Sequence, residues 1–201
     1  MDSILRSISF IFHPLLMPIF GVLFYFSKSP RYIPVEVINA KLVSLFILTV
    51  ILPILLYFLL KTLGKVTSIY LKSTKERIIP LILNFVVTLV IIKRILTPTQ
   101  VVELYFFFVG ILISTLSCLI LAVLKFKASI HLMAMSGLLM FFIALSIHFS
   151  ININGTLAFM IIITGAVATS RLHLKAHRFT ELVVGFFLGM IPQLILVNYW
   201  L

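Results

Sequence analysis

Seven apolar stretches follow one another along the chain, at 10–26, 42–60, 78–92, 104–124, 129–149, 151–169 and 182–201, and no Asp, Glu, Lys or Arg falls inside any of them. A helix crossing a bilayer takes roughly 20 apolar residues. Six or seven crossings therefore use most of a 201-residue chain and leave no room for a soluble catalytic domain. Backbone groups in lipid must be satisfied internally, and the chain lacks the alternating ten-residue pattern of a barrel, so the segments are read as helices. The expected fold is an all-α polytopic transmembrane bundle of six to seven membrane helices, a single integral membrane domain over 1–201. Hydrophobic residues make up 62% of the chain and charged ones 10%, against about 45–50% and 25% in soluble domains.

The first segment follows Asp2 and Arg6 and has no small-x-small cleavage site, so it is read as an anchor. Its Pro14 and Pro18 leave either a clean span or a kinked, re-entrant element open. Pro80 is expected in the first turn of the third segment, where proline is tolerated. Gly185 and Gly189 form a Gly-x3-Gly pair expected at a helix contact. The single cysteine, Cys118, excludes an intrachain disulfide.

The links alternate between two sides. The N-terminus and the links after the second, fourth and sixth segments share one side, which collects 11 of the 16 Lys and Arg residues together with His131, His173 and His177. The positive-inside rule accounts for the Lys and Arg as cytoplasmic anchors, and Lys61, Lys65, Lys125 and Lys127 are read that way, facing headgroups. It does not account for the histidines. His13 and His148, within or at the far end of their segments, are read as structural. A basic surplus also suits an anionic substrate, whereas five acids, only one of them Asp, argue against a carboxylate-built site for a hard cation.

Three of these links, 61–80, 125–131 and 169–181, carry the candidate chemistry. The last reads Ser170-Arg171, five residues, His177, three residues, Glu181. His177 and Glu181 are i and i+4 and share a helix face. The carboxylate can bond one imidazole nitrogen and leave the other as a base or nucleophile. The middle link reads Ala128-Ser129-Ile130-His131, a hydroxyl and a histidine at a helix start, where free N–H groups favour anions. The first reads Lys72-Ser-Thr-Lys75-Glu76-Arg77-Ile-Ile-Pro80, a basic cluster leading into a helix. His173, His177 and Glu181 have metal-ligand spacing, but no further ligands accompany them, and no metal is assigned.

In order and content these links resemble the three motifs of the type 2 phosphatidic acid phosphatase superfamily: Lys-x6-Arg-Pro, Pro-Ser-Gly-His and Ser-Arg-x5-His-x3-Asp. The likeness covers about 72–189. It is closest in the third motif, with Glu181 in place of Asp. The second is degenerate, with Ala128 for Pro and Ile130 for Gly. In the first, Arg77 matches, Pro80 comes three residues later, and Lys72 and Lys75 both miss the expected distance. Two apolar segments also separate the first and second motifs, where many relatives have a loop. The resemblance implies that His177 attacks phosphorus to form a phospho-histidine, Glu181 orients it, and His131 protonates the leaving oxygen. It implies that Arg77, Arg171, Ser129, Ser170 and Lys72 or Lys75 hold the phosphate oxygens, with no cofactor and no metal.

The function expected on this basis is a metal-independent membrane phosphatase for a lipid phosphate or diphosphate, such as phosphatidic acid, phosphatidylglycerophosphate, a polyprenyl diphosphate or a phosphorylated glycolipid. Its partners would be the bilayer and that substrate, with no role for nucleic acid. The alternative is a relative without turnover that acts as a lipid-headgroup binder or transport component. A channel or transporter ranks third, because such proteins more often carry an ionisable residue mid-helix. Setting aside the six motif-region cations leaves five on each side, so loop charge does not orient the chain. Bacterial relatives usually face the site outward, which implies an inner-membrane protein with its site towards the periplasm or exterior.

Overall fold

In the computed structural model, residues 2–201 are described apart from Ile69, Tyr70 and Lys72, with side chains from Leu5 onward. The described residues contain helices and no strand. These are α1 (Asp2–Ile11), α2 (Met17–Lys28), α3 (Val35–Phe46), α4 (Leu52–Thr62), α5 (Thr74–Arg94), α6 (Val102–Val123), α7 (Ile130–His148), α8 (Asn154–His173) and α9 (Phe179–Val197). A wide π-helical turn over Ile47–Ile51 joins α3 to α4 in one continuous helix, Val35–Thr62. Pro53 explains the turn: its ring lacks an N–H and would crowd the carbonyl four residues back, and one expanded turn relieves both problems.

Among the described residues, five helices are long and apolar enough to cross a membrane: Val35–Thr62, α6, α7, α8 and α9, with α2 a shorter apolar helix. The third apolar segment lies in α5, whose uncharged stretch, 78–92, is bounded by Arg77 and Lys93. The molecule is a helical membrane bundle. Its outward faces are apolar, with Phe46, Leu55 and Phe58 on α3 and α4 and Ile161 and Ile162 on α8 all exposed, as a lipid-facing surface requires. Pro80 lies further into its helix than expected. Ser73 caps α5 by accepting the Glu76 N–H at 3.3 Å, so α5 begins at Thr74 and Pro80 falls in its second turn.

The first segment is broken. Pro14 interrupts it, and α1 ends before His13 while α2 begins at Met17. α1 packs on α8, and α2 on α7. From there the helices alternate in direction. The end opposite the candidate links is closed by Glu103, wholly buried at the start of α6. Its carboxylate accepts from Tyr25 Oη at 2.9 Å, pairs with the Arg31 guanidinium at 2.6 Å and contacts His148 Nε2 at 3.1 Å. Lys41 Nζ donates to the Ile95 carbonyl at 2.7 Å. His148 thus has a buried carboxylate partner that its place in the sequence did not reveal.

α7 is the central helix, and its closest neighbour is α9. Gly185 and Gly189 make that approach possible. A Cβ on Gly185 would lie 2.5 Å from the Ser129 carbonyl oxygen, and one on Gly189 would overlap the Met133 carbonyl. Ser136 Oγ bridges the same contact, donating to the Phe186 carbonyl at 2.6 Å. This is the small-residue helix contact read from the sequence. Gly189→Ala is expected to destabilise the protein by about 1–3 kcal/mol, because backbone and not a flexible side chain must yield. Gly165→Ala, where an added Cβ meets nothing within 4 Å, should be neutral or stabilising by up to ~1 kcal/mol. Unfolding in detergent, compared between the two variants, checks this.

Candidate active site

The three candidate links come together at one end of the bundle. α6 and α8 end there in the same way. Lys125 and Lys175 adopt left-handed φ values of 64° and 51°. In each case the next residue bonds back across the last turn: Phe126 N–H to the Leu121 carbonyl at 2.8 Å, and Ala176 N–H to the Arg171 carbonyl at 3.1 Å. This closing turn favours glycine, and a lysine there costs about 1–2 kcal/mol of backbone strain.

The link after α8 delivers His177, which is buried. Its Nδ1 lies 2.7 Å from Glu181 Oε2, one turn into α9. The same oxygen accepts the Arg178 N–H at 3.3 Å, so the carboxylate is held from two directions. On the other side of the ring, Nε2 lies 3.5 Å from Arg77 NH2. A guanidinium can only donate and an ionised carboxylate can only accept. The two contacts therefore assign the proton to Nδ1 and the lone pair to Nε2. Burial pushes the ring below its ordinary value near 6.5, to about 4. The Glu181 hydrogen bond acts the other way, and the charges of Arg77, Lys127 and Arg171 reinforce the fall. His177 is neutral at pH 7, with the lone pair of Nε2 facing the Arg77 guanidinium.

Arg77, 5% exposed, is the centre of the arrangement. Its Nε donates to the Leu71 carbonyl at 3.1 Å, its NH1 to the Ala128 carbonyl at 2.7 Å, and its NH2 faces His177. One side chain therefore touches all three links. Leu71 presents its carbonyl from a left-handed φ of 43°. Lys127 makes a second tie, Nζ to the Ala176 carbonyl at 3.1 Å. Burial, then the charge of Arg77, holds the Lys127 ammonium below its ordinary value. Ser129 makes a third, its N–H donating to the Glu181 carbonyl at 3.0 Å.

Beside His177 opens a pocket of about 410 Å³ lined by Lys127, Leu172, Lys175, Ala176, His177, Arg178 and Glu181. Three cations surround one neutral histidine, and the one carboxylate is already engaged. The sequence reading assigns none of these three a role in the site, although Lys175 and Arg178 are counted among the motif-region cations. Lys127, read as a headgroup anchor, is half-buried and bonded in the site. Its place two residues before Ser129 was the available signal.

The other candidates are distributed as follows. Ser129 is fully buried. Its hydroxyl caps α7 by accepting the Leu132 N–H at 3.4 Å. With its own N–H on Glu181, the helix start offers fewer free groups than the sequence suggested. Ser170 is buried against α1: its hydroxyl donates to the Leu5 carbonyl at 2.7 Å and lies 2.6 Å from Ser9 Oγ. In this arrangement the hydroxyl proton fastens α8 to α1. Arg171 is buried, and its charge bears on both His177 and Lys127. Lys75 is exposed on the first turn of α5, and Lys72 lies outside the described residues. His131 is on the first turn of α7 with its ring edge-on to His13, centroids 5.4 Å apart. Among the described residues, no three His, Cys, Asp or Glu side chains gather as a metal set.

The depressed value of His177 has a pH signature. The unfolded chain takes up its proton near pH 6.5 and the folded protein only near 4. The folded state therefore keeps its full stability above about pH 6.5 and loses this contribution as pH falls towards 4. The melting temperature should drop across that window, and His177→Gln should flatten the drop. No family model matches the sequence, and comparisons with curated proteins and with solved structures find no match.

Proposed function

We propose that this integral membrane protein is a lipid phosphatase that hydrolyses a lipid phosphate or diphosphate through a phospho-histidine on His177. The observation that carries this reading is the pairing of a neutral His177, Nδ1 on Glu181 and Nε2 facing Arg77, with a basic pocket at the end of an apolar bundle. The lipid tails stay among the helices and the phosphate reaches the cations. Nε2 attacks phosphorus, the bond to the leaving oxygen breaks, and that oxygen takes a proton from His131. Water then attacks the phospho-histidine, returns a proton to His131 and frees phosphate and His177. Arg77 and Arg171 neutralise the phosphoryl oxygens in geometry that lysine cannot reproduce. His131 enters this scheme through the motif resemblance. The resemblance also supports a bacterial inner-membrane location with the pocket on the periplasmic or outer side.

A second reading, a headgroup binder without turnover, is favoured by two observations. The Ser129 N–H and the Ser170 hydroxyl proton are already bonded within the protein. Ile130, where the resembled motif has glycine, packs against the cluster of Leu81, Cys118, Ala128 and Met133. Phosphate release by the purified protein in detergent with EDTA, across a panel of lipid phosphates, separates the readings. Release that persists in EDTA and falls by about 10³-fold or more in His177→Ala and Arg77→Ala supports the phosphatase. Binding of a lipid phosphate without release supports the binder.

A further inference from the structure

The broken N-terminal segment reaches the candidate site. Pro14 has no N–H and disfavours helical backbone at the residue before it, so α1 stops and His13 stands in the gap. The gap is ordered. Leu16 N–H bonds to the His13 carbonyl at 2.9 Å, and Leu15 N–H donates to His13 Nδ1 at 3.3 Å. Accepting at Nδ1 leaves the proton of the neutral ring on Nε2. α1 itself is fastened to α8 through Ser9 and Leu5 on Ser170, and Phe12 lies 6.5 Å from Phe159, ring to ring.

This fastening brings two groups to His131. The His13 ring meets it edge-on at 5.4 Å with an interplanar angle of 79°, and the Ser9 backbone hydrogen-bonds its ring. The charged and titratable groups facing the pair are Arg171, from the end of α8, and His177, from the link before α9. Two imidazoles this close, beside a guanidinium, repel each other when both are charged.

We propose that His13 is a further residue of the site: a positioning residue that fixes the His131 ring and makes the two rings one proton-holding unit. The N-terminal segment is then part of the functional assembly and not only an anchor. This rests on the reading of His131 as the group that gives and regains the proton. His13 meets His131 and has no phosphate contact in this scheme, so it should act on turnover and leave substrate binding alone.

The test compares wild type, His13→Phe and His13→Gln in detergent. Each is first checked for folding by size exclusion and melting, and the Gln variant remains informative if Phe misfolds. Phosphate release from a lipid phosphate is measured as kcat and KM between pH 5 and 9. The expected result is a fall in kcat of about 10–100-fold with KM within about twofold. The limb of the kcat profile carried by His131 should also move by about half a unit or more. Both variants should show the shift, because neither Phe nor Gln has a group that titrates in this range. An unchanged kcat profile, or a rise in KM alone, overturns the proposal. Histidine-labelled NMR supplies a readout without turnover, with the His131 signal assigned through His131→Gln. If wild type releases no phosphate yet the His131 titration moves in His13→Phe, the pairing stands and the phosphatase reading falls. If wild type releases phosphate and neither the titration nor kcat moves, the pairing falls alone.

Discussion

The three links of the candidate site are separate in sequence and are joined through one guanidinium. Arg77 donates to a carbonyl in one link and to a carbonyl in the second, and faces the His177 ring of the third. Buried arginine demands such partners, because an unpaired guanidinium away from water is severely penalised. The demand works in both directions. The carbonyls hold the charge beside His177, and the charge holds the links at the spacing that keeps the Nε2 lone pair facing it. Lysine has the charge but not the planar fork that addresses three directions at once.

Packing within the bundle places the rest. The Gly185 and Gly189 stripe lets α9 lie almost on the backbone of α7. That depth is what allows the Ser129 N–H to reach the Glu181 carbonyl. The carboxylate bonded to His177 is thus set by a helix contact, one turn away, that involves neither His177 nor Arg77. Lys125 and Lys175 occupy left-handed positions that glycine would fill more comfortably. At Lys175, which lines the pocket, the strain accompanies a gain in local positive charge.

Much of this was legible from pattern. Spans, link positions and the sharing of one side follow from hydropathy and alternation, which are local in sequence. The His177–Glu181 pair follows from helical periodicity, and the glycine stripe from its spacing. What was not legible depends on contacts between distant segments. Ser170 carries the expected motif spacing, yet α1 takes its hydroxyl. Lys127 resembles any interfacial lysine until the Ala176 carbonyl comes within reach. The start of α5 was readable, since Ser73 and Glu76 have the spacing of a helix cap, but the hydrophobic pattern alone placed it later and put Pro80 in the wrong turn. His13 was hidden because its partner is more than a hundred residues away.

The two ends of the bundle are fastened by different chemistry. Opposite the pocket, Glu103 draws together the end of α2, the following loop, the start of α6 and the end of α7 through a phenol, a guanidinium and an imidazole. Around the pocket, a single arginine, one half-buried lysine and the Ser129 N–H do the fastening, each on backbone carbonyls. An anion arriving there competes for the very donors that hold the links in place, whereas nothing in the pocket competes for Glu103. The bundle is therefore asymmetric along its length: one end is held by side chains converging on a buried carboxylate, the other by donors whose charge also faces the pocket.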